Sequence, residues 1–184
     1  MKIHVGLNSK DISNAIRQIE QFKNDLLSKM ELFCNELAEV GIEVAKQNII
    51  VEEDGVPVDR SNLVTFSKEL SPSVDGATCI VIPSVTPYVT KWKRSKNGKK
   101  VLTAEVNPLL MAEFGSGAKA IDGHRGTFPS ETAKKNAAHG SWAWYDTKDI
   151  KHVTVGNAPS RPIYKAKLEM EQQIAEVAER VFNT

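Results

Sequence analysis

The sequence predicts an α+β protein, with an antiparallel sheet packed by a long N-terminal helix and a C-terminal helix. Three observations predict it. Apolar residues recur at spacings of three and four from Ile12 to Val44, the period of one helix face. The middle of the chain breaks into short, β-rich segments separated by turn residues. A second amphipathic stretch then closes the chain. One domain over 1–184 accommodates all three, since 184 residues supply one sizeable core.

Taken in order, "KIHVGL" alternates Ile3, Val5 and Leu7 and reads as a short opening strand. Asn8 or Ser9 then caps a helix, with Asp11 well placed against the N-terminal dipole. The stripe runs through Ile12, Ile16, Ile19, Phe22, Leu26, Met30, Phe33, Leu37, Val40 and Val44. One helix over 10–49 would be about 60 Å long, well beyond the diameter of a compact domain of this size. It must break near Ser28 or Gly41, or project and find a partner.

Residues 51–62, "VEEDGVPVDRSN", read as an exposed loop. "LVTFSKEL" and "ATCIVIP" read as strands on either side of "SPSVDG". "TPYVTKWKRSK" and "KKVLTAEV" flank Asn97-Gly98, a dipeptide that favours a two-residue hairpin turn, so a basic hairpin is expected at about 88–107. "LLMAEF" reads as a further strand. A long irregular loop follows at about 115–140, with a short helix expected at 130–138. "SWAWYD" and "KHVTVG" are strand-like. In the last segment Ile163, Ala166, Met170, Ile174, Val177 and Val181 form the expected buried stripe, and Pro162 suits a first helical turn.

Composition bounds the function. Apolar residues make up 41% and charged residues 26%, with a formal net charge of +1, so attraction to nucleic acid must come from local clustering. Cys34 and Cys79 sit in apolar contexts and read as buried free thiols. "MKIHVGLNSK" has no long apolar run, so no secretory signal is expected, and no window approaches the roughly 18 apolar residues of a membrane span. A cytoplasm is the expected place of maturation or assembly.

"LLMAEFGSGAKAIDG" contains G-x-G-x-x-A at Gly115, Gly117 and Ala120, the outline of a dinucleotide turn. That turn needs a helix opening at the glycines, and Asp122-Gly123, Gly126 and Pro129 leave no room for one. The glycines are better read as a tight turn after a strand, hinging the sheet to a long contact loop. No cofactor is expected. His124, His139 and Asp122 lack the spacing of a metal site, no G-x-S-x-G elbow surrounds Ser116 or Ser141, and Glu52-Glu53-Asp54 lie in a polar turn. No metal and no catalytic residue is expected.

Lys91, Lys93, Arg94, Lys96, Lys99 and Lys100 place six positive charges within ten residues. A two-residue turn would set Lys96 against Lys99, Arg94 against Val101 and Trp92 against Thr103. Facing like charges weaken a ladder, and DNA phosphates or an acidic partner would relieve the repulsion.

"AEFGSG" at 112–117, "WAWYD" at 142–146 and "GNAPSRPIYKA" at 156–166 occur in that order behind a long helix. Together they resemble the minor structural proteins of long-tailed phages and prophages known as head–tail joining, neck or tail-completion proteins. Glu113, Phe114, Gly115 and Gly117 match that family's first motif, with Ser116 where Thr is usual. Pro159, Arg161, Pro162 and Tyr164 match its second, with Ile163 where an aromatic is common. The resemblance implies a non-enzymatic virion protein at the neck or tail top, assembled in the host bacterial cytoplasm. It also implies other connector or tail proteins as partners, and a homo-oligomer, possibly a ring. A nucleic-acid-binding module using the Lys91–Lys100 hairpin is the alternative function.

Overall fold

The computed structural model describes residues 8–53, 56–73, 76–93, 96–98, 100–116, 119–121, 142–145, 147–154 and 156–183. The expected opening strand, the short helix at 130–138, most of the 115–140 loop, Gly117, His124, His139, Arg94 and Lys99 lie outside them.

The fold is α+β, with helices at both ends of the described chain and antiparallel strand pairs between. Helix α1 spans Ser9–Gln47 without a break. Asn8 caps it, its side-chain oxygen accepting from Asp11 N at 2.8 Å while its amide donates to the Asp11 carboxylate at 2.8 Å. The 39 residues extend about 58 Å at the helical rise. Neither suggested break occurs, and Gly41 has another use. A Cβ built there would lie 2.7 Å from Met170 Sδ, so the glycine lets a second helix approach the α1 backbone.

That second helix, α3 (Pro162–Phe182), packs along the C-terminal half of α1. Lys165 Nζ donates to Asn48 Oδ1 at 2.7 Å near its start, and Arg180 holds Glu36 at 2.6 Å near its end. Phe182 stacks against Phe33 with ring centroids 6.0 Å apart. The two helices therefore run antiparallel, and α3 is used up beside Lys29 and Phe33. Ala166, Val177 and Val181 are buried as expected, but Ile163 and Ile174 of the expected stripe are exposed. Helix α3 lies on the outside of the body, with α1 as its main neighbour.

On α1 the buried positions of this half are Ala38, Gly41, Ile42 and Ala45, offset from the expected Leu37, Val40 and Val44, which are half-buried. Of these, Gly41 is where Met170 of α3 comes closest to the α1 backbone.

The strands form four two-stranded antiparallel ladders. Strands β1 (Ile50–Glu53) and β2 (Val56–Asp59) pair Val51 with Val58, which corrects the expectation of an exposed loop at 51–62. Val51 is among the most buried residues of the chain. Asp54-Gly55 between the strands is itself a hairpin-favouring dipeptide, masked in the reading by the surrounding charge. Strands β3 (Val64–Ser73) and β4 (Gly76–Val85) form the longest ladder and lie against α1. Lys68 reaches Asn35 Oδ1 at 2.6 Å and pairs with Glu39. Met30 Cε sits 3.2 Å from where a Cβ on Gly76 would be, so β4 begins beside Met30.

Strands β5 (Tyr88–Trp92) and β6 (Leu102–Val106) pair Trp92 with Leu102 and Lys91 with Thr103. The register is one residue away from the expected Trp92–Thr103, and a two-residue Asn97-Gly98 turn does not fit it. Lys93 leaves the pair and bridges instead to Tyr145 at the end of β7 (Trp142–Tyr145), which pairs with β8 (Lys151–Thr154). "LLMAEF", read as a strand, is helix α2 (Pro108–Phe114). Asn107 caps it by accepting from Leu110 N at 3.0 Å, and Pro108 fills the first helical position, a start signal concealed by the continuous apolar run. The core gathers where α2 meets the first hairpins, at Ile49, Val51, Val64, Leu109, Met111 and Ala112.

Cys34 and Cys79 are free and half-buried rather than fully buried. Cys34 Sγ donates to Ala77 O at 3.4 Å. Burial pushes its thiol pKa up, and the neighbouring Cys79 adds to the rise, because both disfavour the thiolate. Alkylation of Cys34 in the folded protein should therefore lag that of an unstructured cysteine near pH 8 and gain on it as pH rises, read by iodoacetamide kinetics with peptide mapping. Gly41→Val should destabilise the fold by about 1–3 kcal/mol through overpacking against Met170, measured by urea unfolding.

Candidate assembly interface

Two features stand out on the folded chain: a row of exposed apolar side chains on the first half of α1, and the clasp that joins the helix ends behind it. The clasp is built from the motif residues. Gly115 ends α2 at φ +71°, ψ −165°, a backbone region open essentially to glycine alone. Its N–H donates to Met111 O at 2.9 Å. Ser116 follows, fully buried. Its N–H donates to Asn157 O at 2.9 Å, and Asn157 N–H donates back to Ser116 Oγ at 3.0 Å.

The approach is so close that a Cβ on Gly115 would lie 2.5 Å from Asn157 O and 3.0 Å from Pro159 Cδ. Ser160 N–H and Arg161 N–H both donate to Ala112 O, at 2.8 and 3.0 Å. The Ser160 hydroxyl lies 2.6 Å from Asn48 O at the end of α1. Glu113 Oε2 accepts from Ile163 N–H at 2.7 Å. A carboxylate on α2 thus caps α3, whose own cap position, Arg161, offers no side-chain bond, and its charge suits the positive end of that helix. Arg161 adopts φ 57° and lays its guanidinium 3.8 Å over the Tyr164 ring.

Glu113, Gly115, Pro159, Arg161, Pro162 and Tyr164 therefore meet at one place, and Phe114 is half-buried beside them. The hinge expected after a strand is instead the C-terminal cap of a helix, fastened to the start of another. The N–H groups that a phosphate would need at Gly115 and Ser116 are already bonded to protein carbonyls. Among the described residues no group of three or more His, Cys, Asp or Glu is placed to hold a metal ion, and no helix is long and apolar enough to cross a membrane.

The basic hairpin is partly neutralised. Lys93 Nζ meets Asp149 Oδ1 at 3.0 Å, and its side chain is only 14% exposed. Its backbone exchanges bonds with Tyr145 at 2.6 and 2.9 Å. Lys91, Lys96 and Lys100 are exposed. The Lys93–Asp149 pair spans 56 positions, so no local pattern announces it.

The uncovered surface lies on the first half of α1. Ile12, Ile16, Ile19, Phe22 and Leu26 are between 39% and 55% exposed, and only Ala15 of this half is buried. Beside the stripe, Glu20, Lys23, Asn24 and Leu27 form an open groove with Pro72 and Ser73 at the tip of β3. Family models, curated proteins and solved structures were all compared with the chain, and none matches it.

Gly115→Ala should lower stability by at least about 2 kcal/mol, combining backbone strain with the Asn157 collision. Chemical denaturation measures it, and the helix content of the folded state should survive.

Proposed function

We propose that the protein is a structural subunit of the head–tail connection of a long-tailed phage or prophage, a neck or tail-completion protein that works by protein–protein assembly. The observation that carries this reading is the row of five large apolar side chains on an unbroken helix that outruns its own body. An exposed, contiguous apolar row on a soluble chain marks a contact surface. The resemblance adds the station, and the meeting of both motifs in one clasp gives their residues a common structural role in place of a chemical one. The protein is read as non-enzymatic, resident in the virion at the neck or tail top, and assembled in the host bacterial cytoplasm with other connector or tail proteins.

DNA binding by the Lys91–Lys100 hairpin is less well supported, because Lys93 is engaged by Asp149.

Disrupting the gene in a phage or prophage that encodes it should leave filled heads and tails unjoined in electron micrographs, with infectious yield reduced by orders of magnitude. Undiminished yield would refute the assignment. Complementation with Ile16→Asp/Phe22→Asp should fail although the variant folds, since both side chains are about half exposed in the isolated chain.

A further inference from the structure

We propose that the first half of α1, residues 9–30, pairs antiparallel with the same segment of a second copy of this chain. The inference rests on reading the stripe as an assembly surface and names its occupant. Ile12, Ile16, Ile19, Lys23, Leu26 and Met30 follow one another at spacings of four, three, four, three and four. This is the repeat of a two-helix seam, interrupted by a single polar residue, the kind of position that specifies register and orientation.

Lys23 decides the orientation. A parallel, in-register pair would set Lys23 directly against Lys23 of the second copy, two like charges in one layer. The antiparallel pair removes that clash. It sets Ile19 against Lys23 of the second copy, Ile16 against its Leu26, and Ile12 against its Met30. Glu20 and Lys23 are both exposed, and in this register each reaches the other's counterpart, giving two reciprocal ion pairs across the two-fold axis. Phe22, one position before Lys23 and half exposed, meets Phe22 of the second copy beside that axis.

Length supports the same register. The start of α1 at Ser9 falls opposite Phe33 of the second copy, where Phe182 takes over as that helix's neighbour. The pairing thus spans the exposed row from Ile12 to Leu26 and ends beside Met30 and Phe33, where Gly76 and Phe182 are the neighbours within the chain. Area supports it as well. The five stripe residues together expose on the order of 500 Å² per copy, the size of a functional apolar patch. Two copies cover on the order of 1,000 Å², and the stems of flanking Lys and Glu residues bring this into the range of a specific interface.

The test is the mass of the purified full chain by sedimentation equilibrium from low to high micromolar concentration. A concentration-dependent dimer is expected. Ile16→Asp/Ile19→Asp should sediment as a monomer with unchanged melting temperature and circular dichroism. Lys23→Glu and Glu20→Lys should each weaken dimerisation about tenfold, as replacing two ion pairs by two like-charge contacts implies, and the double exchange should restore it. A monomer at 200 µM or more, a dimer indifferent to the Ile16/Ile19 change, or a double exchange no better than its singles would overturn the proposal. Such a result would leave the assembly role standing if stripe variants still abolished head–tail joining. Normal joining by a monomeric stripe variant would refute the assembly reading itself.

Discussion

At the junction of the three helices the chain passes itself with no room for one extra carbon. Gly115 and Asn157 are held backbone to backbone by the reciprocal Ser116–Asn157 bonds, and the rest of the body depends on that closeness. It sets the end of α2 against the segment that opens α3, delivers the Glu113 carboxylate to the N–H of Ile163, and places the Ser160 hydroxyl on the carbonyl of Asn48, the residue that caps α1. Each of these groups is at a helix end, where backbone donors or acceptors lack intrahelical partners. The clasp satisfies several such ends with one another, so three helices are fixed in relative position by a few bonds beside the small core at Ile49, Val51 and Ala112.

From that fixed point α3 and the β3–β4 hairpin both run back along α1. Helix α3 has 21 residues, about 32 Å. Each strand of the hairpin has 10, about 33 Å. Helix α1 has 39, about 58 Å. The covering elements match each other in length: α3 gives out beside Lys29 and Phe33, and the hairpin reaches only the groove beside Glu20, Lys23, Asn24 and Leu27. The exposure of Ile12, Ile16, Ile19, Phe22 and Leu26 is thus a consequence of length rather than of local sequence, since the same spacing continues into the covered half. An apolar row of this size in water is relieved by association, and the proposed assembly role rests on that exposure.

Much of this architecture was legible in the residues. The Asn8 cap, the long stripe, the β3 and β4 segments, the β7 and β8 segments and Pro162 at the head of α3 are local patterns, and local patterns survive folding. The misreadings share a cause. "LLMAEF" is apolar throughout and so lacks a period, and only Asn107-Pro108 before it marks a helix. Residues 51–62 are charged, yet Val51 is buried because α2 lies over it. In the candidate site, Glu113, Gly115 and Arg161 were picked out by motif, but Ser116, Asn157, Ser160 and Asn48 carry much of the bonding. Their partners lie 41 to 112 positions away.

By itself, then, the sequence determined where helices and strands could form and that α1 carries one apolar face along its length. These depend on neighbours a few residues apart. Only the tertiary structure decided which part of that face is covered, that Gly41 admits Met170 instead of breaking the helix, that Lys93 leaves its hairpin for Tyr145 and Asp149, and that the two motifs close on each other. Those outcomes depend on element lengths and on contacts between segments far apart in the chain, and no local spacing encodes them.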